Sequence, residues 1–95
     1  MMKVAAPPED GKITALEFHP DGLLLISGHE KGALNIWDVR SSKLVKKLQP
    51  YKDSAVMSVT FSNRGILFAC AAASSANPVK IFDMIKQFAE TEIPI

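Results

Sequence analysis

The residues that could carry chemistry in this sequence are two histidines, one cysteine, and a serine and an aspartate on either side of the second histidine. Ser27, His29 and Asp38 supply the residue types of a hydrolase triad, but a triad is recognised by its geometry, which a sequence does not supply. His19 lies ten residues before His29, and no cysteine or carboxylate stands at a metal-ligand spacing from the pair. Cys70 lies in an apolar run, where a thiol is usually a small buried side chain. We therefore predict no catalytic residue, no metal site and no cofactor.

Two further segments have the composition of ligand-binding sites. Residues 28–32 are bounded by glycines but lack the Gly-Lys-Ser/Thr of a phosphate loop, so we interpret them as a β-turn with a solvated His29. The basic cluster consists of Lys43, Lys46, Lys47 and Lys52. One explanation of this cluster is a solvated outer strand whose lysines prevent edge-to-edge aggregation. A phosphate-contacting patch is the alternative, and a net charge of +1 argues against a dedicated polyanion binder.

The overall composition bounds the class of protein. The chain has 95 residues, of which 47% are hydrophobic and 22% charged, so it is one small globular domain or part of one. A single cysteine allows no internal disulfide, which indicates a reducing compartment. The N-terminus lacks the apolar run of a signal peptide. The longest apolar run, residues 66–73, is far shorter than the roughly 20 residues that cross a bilayer, so we expect no membrane interaction.

The elements that must position these side chains are short. Turn signals rich in Gly, Pro, Asn, Asp and Ser separate apolar runs whose lengths suit strands and not helices. Strands are predicted at residues 13–18, 23–26, 34–39, 43–48, 56–61, 66–71 and 79–82. The second run is wholly apolar and is expected to be buried on both faces. The fourth run is rich in lysine and is expected to face water.

The second half of the chain repeats the first. Residues 18–24 align with residues 61–67 at an offset of 43, and residues 35–39 align with residues 80–84 at an offset of 45. A period of about 40 to 45 residues, with four strands and an aromatic–Asp pair closing the third, is typical of a β-propeller blade. The chain resembles two consecutive WD repeats. The resemblance implies an all-β fold of two four-stranded antiparallel propeller blades, which form an incomplete β-propeller.

The repeats divide the chain into four segments. We expect an N-terminal extension over residues 1–10, a first WD repeat over 11–50, a second over 51–88 and a C-terminal tail over 89–95. Six residues are assigned structural roles: Trp37, Asp38, Phe82, Asp83, Gly22 and Gly65. The aspartates are expected to accept hydrogen bonds from backbone N–H groups of the turn that follows the third strand. Trp37 is expected to belong to the core between blades.

This chain departs from the WD-repeat pattern in one feature. Typical WD repeats carry Gly-His before the first strand and an Asp in the turn between the second and third strands, and these form a buried tetrad with a Ser or Thr and the Trp. Here residues 8–9 and 50–51 replace Gly-His, and Lys31 occupies the Asp position of the first copy. Only Ser27 and Trp37 remain, so the tetrad is predicted to be absent.

Two blades do not close a ring, which needs at least about four. The chain is therefore expected to be a fragment of a longer propeller, a truncated gene product or a subunit that completes a ring. Alone, it is expected to leave Leu24, Ile26, Trp37, Leu67 and Phe68 without a covering layer.

Short segments are similar to the propellers of several nuclear WD-repeat scaffolds. Residues 18–23 and 79–84 resemble the propeller of the spliceosomal Nineteen complex, and residues 82–90 resemble a subunit shared by TFIID and SAGA. Residues 34–38 and 66–71 are similar to mitotic-checkpoint and mRNA-export propellers. The resemblance implies a non-catalytic protein-interaction scaffold of a nuclear complex, in pre-mRNA splicing or transcription initiation. The cytoplasm is the alternative location.

The expected partners are other proteins, in a multiprotein complex, or further propeller blades. WD propellers bind partners through loops and blade edges, so the turn residues are the candidate contacts. They are His29, Glu30, Lys31, Tyr51 and Lys52. Nucleic-acid association through the basic cluster is the alternative function, and it is disfavoured by the balanced charge.

Overall fold

Two antiparallel sheets of four strands each make up the fold. The computed structural model describes residues 8–73, 79–84 and 89–91. In this part of the chain a short 3-10 turn, Pro8–Asp10, precedes the strands β1 Ile13–Phe18, β2 Leu24–His29, β3 Leu34–Asp38, β4 Lys43–Leu48, β5 Val56–Phe61, β6 Leu67–Ala72, β7 Val79–Asp83 and β8 Ala89–Thr91. The strand orders are β1-β2-β3-β4 and β5-β6-β7-β8. The predicted all-β fold with two four-stranded sheets is confirmed.

The turn between the first two strands of each sheet has the same construction. Gly22 has φ +77° and Gly65 has φ +69°, a conformation that glycine adopts without steric cost. The N–H of each glycine donates to the carbonyl three residues earlier, at 2.8 Å in the first turn and 2.9 Å in the second. The sequence repeat at an offset of 43 is therefore also a structural repeat.

The two sheets pack face to face around a shared apolar core. In the first sheet Ile26 pairs with Ile36, and Gly28 pairs with Leu34, so these residues lie on one face of the pleat. The core cluster comprises Ile26, Leu34, Ile36, Tyr51, Val56, Val59, Phe68, Cys70, Ala72 and Phe82. Leu25 alternates with Ile26 and is only 4% exposed, so this strand is buried on both faces from Leu25 onward. Leu23, which the prediction included, is 41% exposed.

The closest approach of the sheets is at Gly28. A Cβ atom at this position would lie 2.6 Å from Val56 Cγ1 and 3.3 Å from Ala15 Cβ. No side chain larger than hydrogen fits there without a shift of one sheet. Gly28 therefore sets the distance between β2 and β5.

Two polar side chains of the first sheet also bind the backbone of the second. Thr14 Oγ1 donates to the Val56 carbonyl at 2.6 Å. His19 Nε2 lies 2.9 Å from the Gly65 carbonyl, which only accepts, so this nitrogen is the donor. The His19 ring also meets Phe61 edge-on at 5.0 Å. His19 is thus a link between the sheets as well as a turn residue.

Three sequence predictions require correction or lie outside the described residues. β2 continues to His29, three residues past the predicted end, because Ser27, Gly28 and His29 keep their pairing with β1 although they are not aliphatic. β8 lies beyond residue 88, where the sequence placed the end of the second repeat, since no turn signal marks that region. Most of the predicted N-terminal extension, residues 1–7, and residues 92–95 of the predicted tail lie outside the described residues.

The apolar residues that are exposed also differ from those predicted from the sequence. Ile26 and Phe68 are 0% and 1% exposed, because one face of each sheet already covers the other. Trp37 is 8% exposed, although it lies on the opposite face of its sheet from Ile36. The exposed large apolar side chains are Leu16, Phe18, Leu23, Leu44, Val45, Met57, Ile66, Leu67 and Val79. Of the five residues expected to lack cover, only Leu67 is exposed, and Leu24 is half-buried.

Candidate functional site

Three loops meet at one end of the two sheets. This loop end consists of residues 10–12 before β1, the β2–β3 turn at residues 30–33 and the β4–β5 connection at residues 49–55. Glu30 N–H donates to the Lys12 carbonyl at 2.8 Å, and Lys31 N–H donates to the Asp10 carbonyl at 3.2 Å. The first two loops are therefore joined through their backbones.

The third loop is tied to the β2–β3 turn by Gln49. Its side-chain amide donates to the Lys31 carbonyl at 3.2 Å and to the Tyr51 carbonyl at 2.7 Å. Gly32, at φ +97°, lies against the Tyr51 backbone, and a Cβ there would meet the Tyr51 carbonyl. The loop end is consequently a single hydrogen-bonded unit and not three independent loops.

Tyr51 connects the loop end to the second sheet. Its side chain is 3% exposed, and its hydroxyl donates to the Cys70 carbonyl at 3.1 Å. Lys80 Nζ lies 5.2 Å from the Tyr51 ring centre and donates to the Pro50 carbonyl at 2.7 Å. Tyr51 was predicted to contact a partner, but the structure corrects this prediction: the side chain is buried in the core.

The other predicted partner contacts divide in two. Glu30, Lys31 and Lys52 are exposed on the loop end, where they stay predicted contacts. His29 is fully buried, so the prediction of a solvated His29 that contacts a partner is wrong. The physical reason is that His29 is the last residue of β2, where it pairs with Ile13, and does not belong to the turn.

Beneath the loop end lies a buried network of five polar side chains, Trp37, Ser27, His29, Asn35 and Asp10. Trp37 Nε1 donates to Ser27 Oγ at 2.9 Å, and Ser27 Oγ lies 2.8 Å from His29 Nε2. Asn35 Nδ2 lies 3.1 Å from His29 Nε2 and 3.3 Å from Asp10 Oδ2. All five residues are buried. We call this set the polar network.

The polar network corrects the prediction that a buried tetrad is absent. Ser27 and Trp37 keep the positions that the family gives them, whereas the His and the Asp of the tetrad are missing from theirs and have exchanged places. The histidine stands at the end of β2, beside the turn where the family has its Asp, and Asp10 stands before β1, where the family has its His. Asn35 bridges the two. Sequence reasoning missed this because it compared positions and not the faces on which side chains lie.

An ion pair between a buried carboxylate and a partly exposed lysine closes the network. Lys47 Nζ lies 2.8 Å from Asp10 Oδ1 and 3.9 Å from Glu9 Oε1. Burial acts to raise the pKa of Asp10, but hydrogen bonds from Lys47 and Asn35 outweigh it, and the pKa lies below its usual 3.8. Burial lowers the pKa of His29 below its usual 6.5, against the opposing charge of Asp10. Asp10 is thus held as an anion and His29 as a neutral imidazole.

The fold and this geometry agree with comparisons against known proteins. The family model described as the Vps8 beta-propeller matches residues 2–82. The chain belongs to this β-propeller family. Its WD-repeat character is supported by Pre-mRNA-processing factor 19 homolog 2 of Arabidopsis thaliana, which is 37% identical over 73 residues, covering 77% of this chain and 13% of that protein. The resemblance to WD-repeat propellers is thereby confirmed.

Two other known proteins are also similar to this chain. Eukaryotic translation initiation factor 3 subunit I of Drosophila grimshawi is 30% identical over 93 residues, which cover 94% of this chain and 28% of that protein. The structure of the Cps50 (Swd1) beta-propeller domain of Myceliophteria thermophila superposes with a TM-score of 0.68 at 20% identity, over 78% of this chain and 22% of that one. The latter likeness shows the fold alone. The chain spans only 13% and 28% of the length of these two curated relatives.

The two propeller blades differ in how they fill the equivalent positions. Cys70 stands where the first blade has Ser27, and Phe82 stands where it has Trp37, at the offsets of 43 and 45. The rings of Phe68 and Phe82 stack at 5.1 Å with an interplanar angle of 17°. At these positions the second blade has aromatic stacking and a contact of 3.6 Å between Cys70 Sγ and the Tyr51 hydroxyl, where the first blade has the Trp37–Ser27 hydrogen bond.

The aspartates that close the third strands occupy matching positions. Asp38 pairs with Leu24 in the first blade, and Asp83 pairs with Leu67 in the second. Asp38 Oδ1 accepts hydrogen bonds from the backbone N–H groups of Arg40 at 2.9 Å and Ser41 at 3.3 Å. This is the arrangement expected from the sequence for a carboxylate at the end of a third strand.

The basic cluster does not form one surface. Lys46 pairs with Ile36 and Lys47 pairs with Asn35 on the neighbouring strand, so the two lysines project from opposite faces of β4. Lys47 is also committed to Asp10. A phosphate-contacting patch needs several free cations on one side. The geometry therefore adds no support to the nucleic-acid alternative.

Ser27 and His29 are in contact, as a nucleophile and its base would be, but both are fully buried. Ser27 also accepts the Trp37 N–H, and no substrate reaches either side chain. Within residues 8–73, 79–84 and 89–91, no three His, Cys, Asp or Glu side chains converge as metal ligands would. No helix in this described part of the chain has the length and apolar character to span a membrane.

Proposed function

We propose that this chain is a two-blade section of a non-catalytic WD-repeat scaffold that binds other proteins through its loop end. The observation that carries the proposal is the rigid attachment of an exposed, charged loop surface to a buried polar network. Binding residues commonly sit on loops that a rigid scaffold positions. Glu30, Lys31 and Lys52 are the contacts that we assign to this surface, since all three are exposed there.

We further propose that the scaffold belongs to a nuclear complex in pre-mRNA splicing or transcription initiation. The similarity to pre-mRNA-processing factor 19 proteins from Arabidopsis thaliana and Oryza sativa supports splicing. The similarity to translation initiation factor 3 subunit I favours the cytoplasmic alternative. Imaging of the tagged protein in cells distinguishes the two, because exclusion from the nucleus would contradict the first.

Further propeller blades are the second kind of partner that we propose. Phe18 on β1 and Met57 on β5 are each 60% exposed, and Leu67 on β6 is 37% exposed. Apolar side chains of this size on strands are normally covered. In a longer propeller the neighbouring blades would bury them.

The test of the proposed surface is a charge reversal with a matched control. Lys31→Glu with Lys52→Glu changes the net charge of the loop end by −4. Arg40→Glu with Arg64→Glu makes the same change in exposed turns at the opposite end. Partners recovered with the tagged protein are quantified by mass spectrometry. We expect the loop-end variant to lose partners that the control retains. Equal recovery from both variants and the parent protein would refute the assignment of this surface.

A further inference from the structure

The hydrogen-bond donors around His29 fix its protonation. The indole N–H of Trp37 can only donate, so Ser27 Oγ accepts it and directs its own proton toward His29 Nε2, 2.8 Å away. The other acceptor within reach of that hydroxyl, the Asn35 carbonyl, is more distant at 3.5 Å. The Asp10 carboxylate can only accept, so the group that Asn35 presents to it at 3.3 Å is the amide nitrogen.

That same amide nitrogen is 3.1 Å from His29 Nε2. His29 Nε2 therefore receives two donors, one from Ser27 and one from Asn35, and it carries no proton itself. The imidazole is neutral with its proton on Nδ1. Both bonds to Nε2 form only in this state, in which the buried Nδ1 atom of His29 has no hydrogen-bond partner among the described residues.

We propose that His29 is a proton-sensitive latch that holds the loop end in place while its imidazole is neutral. A proton on Nε2 would face the N–H of Asn35 and would break that bond. Ser27 Oγ would accept a hydrogen bond from Nε2 only after its own proton had turned to the Asn35 carbonyl, at the longer distance of 3.5 Å. Rotation of the Asn35 amide gives no relief, because it would turn the amide oxygen toward the Asp10 carboxylate. Displacement of Asn35 removes one of the two side-chain contacts that hold Asp10, the other being the ion pair with Lys47. The backbone carbonyl of Asp10 accepts the N–H of Lys31 on the exposed turn, so a shift of Asp10 loosens that turn.

The charged groups that act on His29 are Asp10, from the segment before β1, and Lys47, from β4. Burial is the largest influence and lowers the pKa of His29 below 6.5. Lys47 lowers it further, while Asp10 and the Gly11 backbone oppose the shift. Because Lys47 lies only 2.8 Å from Asp10, it offsets much of the stabilisation that Asp10 would give an imidazolium.

The direction of the pH dependence follows from this shift. A histidine whose pKa is lower in the folded than in the unfolded protein binds its proton more tightly after unfolding. The stability that it contributes is fully present above pH 6.5 and is lost as the pH falls toward the folded-state pKa. If the closed network takes up no proton in this range, and His29 titrates near its usual 6.5 once the loop end has opened, the equilibrium constant for this opening increases about eightfold between pH 6 and pH 5, as does that for unfolding. Acid therefore loosens the loop end.

The regulatory consequence, weaker partner binding in acid, rests on the proposed function; the loosening of the loop end does not.

Trp37 is the only tryptophan and donates to Ser27 inside the network, so its fluorescence reports on the latch directly. Emission and urea unfolding are measured from pH 7.5 to pH 5 at one protein concentration. His29→Gln removes the titrating group, and His19→Gln is the control because these are the two histidines of the chain.

We expect a red shift of Trp37 emission and the increase in unfolding constant in the parent protein and in His19→Gln. His29→Gln should lose both. An identical pH dependence in His29→Gln, or none in the parent protein, would overturn the latch. If His29→Gln does not fold, hydrogen exchange at Glu30 and Lys31 in the parent protein decides: exchange equal at pH 7 and pH 5, after correction for the intrinsic rate, refutes the proposal.

The same readouts separate the latch from the proposed function. A fluorescence shift in a protein that captures no partner at either pH would support the latch and contradict the scaffold. Partner capture that is equal at pH 7 and pH 5, in a protein whose Trp37 emission does shift, would contradict the regulation alone.

Discussion

Removal of one hydroxyl group, by Ser27→Ala, is the sharpest test of the polar network. Ser27 Oγ contacts Trp37 Nε1 at 2.9 Å and His29 Nε2 at 2.8 Å. The substitution leaves the buried indole N–H without an acceptor, which costs about 1–3 kcal/mol. His29 keeps its bond from Asn35 and loses one hydrogen bond, which contributes about 0.5–1.5 kcal/mol. We expect a total loss of about 2–4 kcal/mol, a large part of the roughly 5–15 kcal/mol of a small domain.

The loss is measured by urea unfolding at pH 7.5 and fixed protein concentration, followed by far-ultraviolet circular dichroism. Ser62→Ala is the matched control, since Ser62 Oγ accepts from Leu67 N–H at 3.2 Å in an exposed turn. We expect that control to cost less than about 1 kcal/mol.

A double-mutant cycle with Trp37→Phe measures the free-energy cost of leaving the indole N–H without an acceptor. Because Trp37→Phe removes the N–H that Ser27→Ala leaves unpaired, the double variant should be more stable than the sum of the two single losses, by about 1–3 kcal/mol. Two results would refute the reasoning: a Ser27→Ala loss equal to that of Ser62→Ala, or a cycle that is additive within error.

Three further outcomes are expected. Gly28→Ala should destabilise the fold by about 1–3 kcal/mol, because the added methyl group meets Val56 at 2.6 Å; a neutral result by urea unfolding would contradict the close approach of the sheets. Lys47→Met should lower the unfolding free energy by about 1–2 kcal/mol more than Lys46→Met, because Lys47 and not Lys46 pairs with the buried Asp10 carboxylate. Equal losses would show that the ion pair contributes nothing to stability. The isolated chain should self-associate in analytical ultracentrifugation, and Phe18→Ser should weaken the association; a monodisperse parent monomer would contradict an uncovered blade face.

Local sequence patterns were sufficient to place most strands. β1, β4 and β5 begin and end at the predicted residues, because glycine-containing or polar turns bound each of these runs on both sides. β2 was predicted too short, since Ser27, Gly28 and His29 break its apolar pattern. These residues belong to a strand because cross-strand pairing, and not hydrophobicity, holds them there. Pairing partners distant in the chain are not visible in a local pattern.

The candidate site was harder to predict than the fold. The side chains of Ser27 and His29 lie on one face by the period of two, and Asn35 faces Ser27 across the strands, so part of the network follows from strand register. Asp10 does not, because it enters from a segment outside the sheet. The exposed contacts Glu30, Lys31 and Lys52 were placed at turns by the sequence, but Tyr51 was misplaced because an aromatic ring in a loop can fold back into the core.

The two blades are stabilised by different interactions, and this difference confines the effect of acid to one of them. The first blade fills its face away from the shared core with polar groups that require a neutral His29. The second has Cys70 and Phe82 at the equivalent positions, inside the apolar core that the two sheets share. Protonation therefore acts on the first blade and the loop end above it, while the second blade keeps its core. A scaffold built in this way can loosen one binding surface without unfolding.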